Sequence, residues 1–211
     1  MKLYYAPGAC SLAPHIALEE VGAPFELSRV DFGTNQQTSA EYLRINPKAR
    51  VPALVDGDWV LTEAPAILRY IAARHPAAGL WPWEPREEAR CAEWLNWLSS
   101  TIQIAFGHVR RAARYASDPR AVEDVATTGK KTAHELWQTV DRKIGHGPWA
   151  IGERYSVADA LLMVYWLWGR GPVLGFDMER DCPNWTEHAR RLAARPAVQR
   201  AFASEELKLP S

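Results

Sequence analysis

The chain has 211 residues, 47% hydrophobic and 24% charged, and its 25 Lys and Arg balance its 25 Asp and Glu to a formal net charge of zero. Zero net charge removes the electrostatic argument for nucleic acid or a membrane surface as partner, because both favour a basic face. Three scattered cysteines, Cys10, Cys91 and Cys182, have neither disulfide-framework nor metal-ligand spacing, so no metal is expected.

In chain order, residues 2–5 read as a short strand and residues 11–21 as a helix, with Pro14 in its first turn and Gly22 as its stop. The stretch Tyr4-Tyr5-Ala6-Pro7-Gly8-Ala9-Cys10-Ser11 joins them. It sets a thiol and a hydroxyl at a helix start, where unpaired N–H groups and the macrodipole favour negative charge. A thiol whose ordinary pKa is near ~8.5 can be lowered there, so Cys10 is expected to be thiolate-prone. Residues 25–30 read as a strand, 31–38 as a polar loop, and 40–45 as a short helix stopped by Asn46-Pro47. Residues 51–55 and 59–62 are strands around Asp56-Gly57-Asp58, a hairpin signal. Residues 64–74 are a helix with Pro65 at its first position. The order β-α-β-α-β-β-α allows a parallel pair joined by a crossover, followed by an antiparallel pair.

Three prolines and a glycine then mark residues 75–85 as a linker. Everything after it reads as helix. Leu95, Leu98, Ile102, Phe106 and Val109 form one face of a long helix. Residues 121–144 give a second long helix, with Gly129 as a weak point. Ser156-Val157-Ala158-Asp159 has the form of a capping box opening an apolar helix to about Trp168, too short for a membrane span and therefore core. Residues 184–194 and 196–203 are the last helices. The ten tryptophans all lie from Trp59 onward and read mainly as packing residues. The doublets Glu87-Glu88, Arg110-Arg111 and Lys130-Lys131 read as solvated faces. Pro7 and Gly8 follow Met1 too soon for a signal peptide, which points to a reducing, cytoplasmic setting.

Three features of the first part suggest chemistry. Cys10 and Ser11 form one. In Arg50-Val51-Pro52-Ala53-Leu54, a proline at a strand start suits an edge, and Val51 offers both backbone groups to an extended peptide. In Thr62-Glu63-Ala64-Pro65-Ala66-Ile67, a turn enters a helix whose N–H groups suit a carboxylate. Together they describe a pocket for a small peptide bearing a thiol and a carboxylate.

This ordered set resembles the glutathione-binding half of glutathione S-transferases, and the segment around Cys10 is most similar to the bacterial beta class. The resemblance covers essentially the whole chain. It implies a thioredoxin-like α/β domain over residues 1–77, an all-α substrate-binding domain over 86–211, and a cytoplasmic homodimer with the long helix after the linker at its interface. It implies glutathione as co-substrate, conjugated in detoxification to small hydrophobic electrophiles. Val51, with Pro52 in cis, would pair with the cysteinyl part of glutathione. Glu63 would hold the γ-glutamyl amino group and the turn at Ala64 its carboxylate, and Asn96 would line the cleft. Cys10 or Ser11 would act at the glutathione sulfur. Tyr5, Gln103, Phe106, Trp166 and Trp168 would line the acceptor side. The sequence departs from the beta-class pattern where a His-Lys pair reads Gln103-Ile104, where a hydroxyl after the glutamate reads Ala64, and where a lysine after the second strand has no match in Gly33-Thr34-Asn35. Two other readings stand beside transfer: a glutathione-dependent thiol–disulfide oxidoreductase acting through Cys10, and a non-catalytic binding protein of the same fold.

Overall fold

The structure is a computed structural model describing residues 1–210. Strands β1 (Lys2–Tyr5), β2 (Glu26–Arg29), β3 (Ala53–Asp56) and β4 (Trp59–Thr62) form one mixed sheet in the order β2-β1-β3-β4. β1 runs parallel to β2, with Lys2 opposite Glu26, and helix α1 (Leu12–Val21) makes the crossover. β3 is antiparallel to both β1 and β4. The thioredoxin-like sheet inferred from the sequence is thus present. Its third strand begins two residues later than expected, leaving Val51 and Pro52 as a lead-in whose peptide bond is cis.

Helix α2 (Ala40–Ile45) is capped by Ser39, whose side chain accepts from the Tyr42 N–H. Helix α3 (Ala64–Arg74) packs with α1, which is itself wedged between the sheet and the later helices. Every residue from Leu12 to Leu18 is therefore buried. Leaving water, Leu12, Ile16 and Leu18 each contribute about 1.5–3 kcal/mol.

The segment from 75 to 84 holds one short 3₁₀ turn, Pro76–Ala78. Beyond it, α4 (Pro85–Trp97) and α5 (Gln103–Arg110) run on through a π-helical stretch, Leu98–Ile102, where the sequence suggested one unbroken helix. Within it Ser99 Oγ donates to the Leu95 carbonyl and Ser100 Oγ to that of Asn96, both at 2.7 Å. Such back-bonding loosens a helical ladder, a local competition that hydrophobic periodicity does not register. Helix α6 (Pro119–Ile144) passes through Gly129 without a break. A Cβ there would come within 2.8 Å of His108 Cβ, so the glycine permits the close approach of α5 and α6.

Helix α7 (Val157–Arg170) is buried along most of its length and packs on α1, α4 and α9 (Pro183–Ala193). The short α8 (Met178–Asp181) escaped the sequence reading, and α10 (Pro196–Ser204) closes the chain against α1. Among the described residues no helix is long and apolar enough to cross a membrane.

The capping box at Ser156 exists and goes further than a cap. Asp159 is fully buried and accepts from the Ser156 N–H (2.8 Å), the Ser156 hydroxyl (3.1 Å) and the Ala150 N–H (2.8 Å), and it pairs with His188 Nε2 at 2.8 Å. One carboxylate therefore ties the start of α7 to the preceding turn and to α9. Replacing Asp159 by Ala strands these partners in the core, and the expected loss in urea unfolding is about 3–5 kcal/mol. A loss below about 1 kcal/mol would mean that the network is dispensable.

Candidate active site

A cleft of about 800 Å³ lies between the sheet end and the helical part. One wall carries the turn Ala6–Cys10, then Val51 and Pro52, then Glu63 and Ala64; the opposite wall carries Gln103, Phe106, Gly107, Arg111, Tyr165 and Trp168.

The turn that presents Cys10 is held from several directions. Ser11 Oγ accepts from the Ala6 N–H at 3.1 Å and donates to the Ala6 carbonyl at 3.2 Å, stapling the two ends of the turn together. Gly8 donates its N–H to Glu205 Oε2 at 2.9 Å, and its carbonyl accepts from Trp168 Nε1 at 2.9 Å. Glu205 is itself buried and pairs with His15 Nδ1 on α1 at 2.8 Å.

Cys10 lines the cleft but is only 8% exposed and lies in the turn before α1, not in the helix. Burial pushes its thiol up to about 12, with the Tyr165 hydroxyl pulling back in the other direction. The expectation of a thiolate-prone Cys10 is corrected: desolvation outweighs the helix-start field. The thiol donates to Gln103 Oε1 at 3.7 Å, and the Tyr165 hydroxyl donates to the same oxygen at 3.0 Å. With Oε1 used twice, the Gln103 amide N–H groups are open to a ligand. Tyr165 is held neutral, well above its ordinary value, by burial and then by Cys10.

Further along the same wall, the backbone groups of Val51 have no hydrogen-bond partner among the described residues. Glu63 has φ of 74°, a left-handed conformation that is strained for a side-chain-bearing residue and is found mostly where a site over-determines it. No side chain caps α3, so the N–H groups of its first turn face the cleft end. Lys48 bridges this corner, donating to Glu63 Oε1 at 2.6 Å and to Thr62 Oγ1 at 2.9 Å.

Across the cleft, Phe106 and Trp168 stack with ring centroids 4.3 Å apart, and Tyr165 meets Trp168 edge-on at 5.0 Å. The apolar patch is thus continuous with the polar cluster at Cys10.

Of the residues named from sequence, Cys10, Val51, Pro52, Glu63, Ala64, Gln103, Phe106 and Trp168 meet in this cleft. Four others do not. Ser11 is fully buried with its hydroxyl spent on Ala6, so it shapes the turn and does not reach a ligand. Tyr5 packs on the His15 ring at 6.0 Å, on the sheet side. Trp166 is buried and donates to Thr186 Oγ1 at 3.1 Å, because one residue from Tyr165 on a helix turns it to another face. Asn96 is exposed outside the cleft, and its carbonyl is taken by Ser100.

Tyr165, Lys48 and Arg114 were missed; of the Arg110-Arg111 doublet read as a solvated face, Arg110 is exposed and Arg111 half-buried, and both also line the cleft. Helical spacing held the signal: Leu161, Tyr165 and Trp168 recur at steps of four and three, as do Gln103, Gly107 and Arg110.

The N-terminal region, residues 1–73, matches the family model of the glutathione S-transferase N-terminal domain. Over 99% of this chain and all of the relative, the sequence is 33% identical to glutathione S-transferase GstA of Escherichia coli. The chain is a glutathione S-transferase family member. Among solved structures, a Sulfitobacter glutathione transferase homologue with bound glutathione superposes with a TM-score of 0.90 at 37% identity, each chain covered to 98%. A bacterial beta-class glutathione S-transferase from Sphingomonas chungbukensis gives 0.83 at 36% identity, with 99% of this chain and 100% of that one covered. The family and the beta-class likeness expected from the sequence therefore hold, and the protein is a transferase.

Because burial raises the Cys10 thiol, iodoacetamide labelling of Cys10, followed by peptide mass mapping, is expected to climb with each pH unit through about pH 10. A plateau near neutrality would mean a depressed thiol and overturn this account.

Proposed function

We propose that the protein conjugates glutathione to a small apolar electrophile as a cytoplasmic, detoxifying homodimer. The observation carrying this reading is that one cleft lines up an uncapped helix start with Glu63, the free backbone of Val51 and the Cys10 thiol, opposite a stacked Phe106–Trp168 wall. The helix start suits the γ-glutamyl carboxylate. Glu63 suits its amino group, and Val51 suits the cysteinyl backbone as an added strand. The glutathione sulfur then arrives beside Cys10.

Cys10 serves here as a hydrogen-bond donor. A thiol that keeps its proton to about 12 is a poor nucleophile, but it can donate to a glutathione thiolate. The Gln103 amide supplies a second donor, positioned by Tyr165. Glutathione releases its thiol proton to water. Its sulfur then forms the new bond to the electrophilic carbon, and the leaving group departs with the bonding pair.

A hydrogen bond to a charged group contributes about 1.5–3 kcal/mol, so Cys10→Ala is expected to lower kcat/KM for glutathione and chlorodinitrobenzene about ten- to hundredfold. Cys10→Ser restores a donor and most of the rate, and calorimetry detects glutathione in the wild type. Full activity in Cys10→Ala would remove Cys10 from the reaction. A one-glutathione adduct on Cys10 near neutral pH, without conjugation, would replace transfer by thiol–disulfide exchange.

A further inference from the structure

The cleft is far more basic than the rest of a neutral chain. Arg50, Arg110, Arg111 and Arg114 all line the cleft, and no ion pair or hydrogen bond engages their side chains among the described residues. The sole acidic residue among those lining the cleft is Glu63, already paired with Lys48. The four charges lie close enough to act on one another. Burial, then the charges of Arg114, Arg50 and Arg110, hold the half-buried Arg111 below its ordinary value. The field of Arg111 also reaches Cys10. Arg111 is half-buried and the other three are exposed, so the charges gather around the open cleft, and the arrangement fits a site that attracts an anionic ligand.

Glutathione, whose binding here is the reading already proposed and on which this inference rests, does not absorb the excess. Its γ-glutamyl end carries an amino group and a carboxylate and has its own place at Glu63 and the start of α3. That leaves the glycyl carboxylate and the thiolate to face four guanidinium groups. Arg50, next to Val51, lies on the glutathione wall. Arg111 and Arg114 lie on the helical wall with Phe106 and Gly107. Gly107 lines the same wall, and a Cβ there would lie 3.2 Å from the Tyr115 hydroxyl.

We propose that the acceptor is an apolar electrophile bearing a carboxylate, its ring or chain lying on Phe106 and Trp168 and its carboxylate held by Arg111 and Arg114. Planar guanidinium groups bind carboxylates through paired donors, which fixes the orientation of the acceptor as well as its affinity. The reaction remains a displacement at carbon: the C–S bond forms and the leaving group takes its electron pair, while the carboxylate stays unchanged.

The test compares chlorodinitrobenzene with chlorodinitrobenzoate, each kcat/KM divided by its uncatalysed rate with glutathione. The wild type is expected to prefer the carboxylate-bearing acceptor by about tenfold or more, the effect of one charge-assisted contact. The preference is expected to fall towards unity in the Arg111→Gln/Arg114→Gln double variant, to survive largely in Arg111→Lys, and to shrink as salt rises from about 0.05 to about 0.5 M. Equal or better use of the neutral acceptor by the wild type overturns the inference and leaves the transferase reading standing. So does a preference that persists in the double variant. Calorimetry with unreactive dinitrobenzoate on the glutathione-loaded protein separates the two readings. If neither aryl chloride is conjugated, the transferase reading fails. The anion site then stands if dinitrobenzoate binds saturably and is lost in the double variant, and falls if it does not bind.

Discussion

Gly8 is gripped at both backbone groups by the helical half of the molecule. Its N–H meets the Glu205 carboxylate and its carbonyl meets the Trp168 indole. The turn it belongs to carries Cys10, and its other end is stapled by Ser11 to Ala6. A turn of five residues at the end of a sheet would otherwise sample several arrangements, at a cost in backbone entropy to any ligand that had to order it. Here the ordering cost is met during folding, by a carboxylate whose second oxygen is tied through His15 to the buried helix α1. The sheet and the helices consequently meet at the point where the chemistry is placed.

Burial and hydrogen bonding act on Cys10 in opposite directions, and burial decides its character. Desolvation raises the thiol and the Glu63 charge adds to it, while the Tyr165 hydroxyl and, least, the positive field of Arg111 lower it by less. The same arginine field acts on whatever enters the cleft. A glutathione sulfur lying in the more open part of the pocket would feel the positive charges with less of the burial penalty, so the site favours ionising the ligand's thiol over ionising its own. That division of labour is consistent with Gln103, a neutral amide, standing where a charged residue would otherwise be expected.

Much of the architecture was legible in the sequence because it rests on local signals. The Asp56-Gly57-Asp58 hairpin, Gly22 ending α1, Pro65 opening α3 and the Ser156 capping box each act within a few residues, and each is present. The site was legible where it depends on backbone, as at Val51 and the start of α3. It was misread where side-chain direction decides. Ser11 and Cys10 are neighbours in sequence, yet one turns to Ala6 and the other to the cleft. Trp166 and Trp168 are equally apolar, but a two-residue step on a helix separates them onto different faces. The arginine cluster was hidden by a sound average: a neutral chain gives no sign that four of its arginines share one cleft. The burial of Cys10 was hidden too, because it is decided by packing between parts of the chain far apart in sequence.

The contact between Gly8 and Glu205 spans 197 positions of the chain. The strands and first helices are synthesised long before the last helix, although all of them share one core. The turn bearing Cys10, however, receives its clamp only when α10 docks on α1 and brings Glu205 and its His15 partner together. During synthesis the ligand cleft is therefore among the last parts of the molecule to acquire a fixed shape.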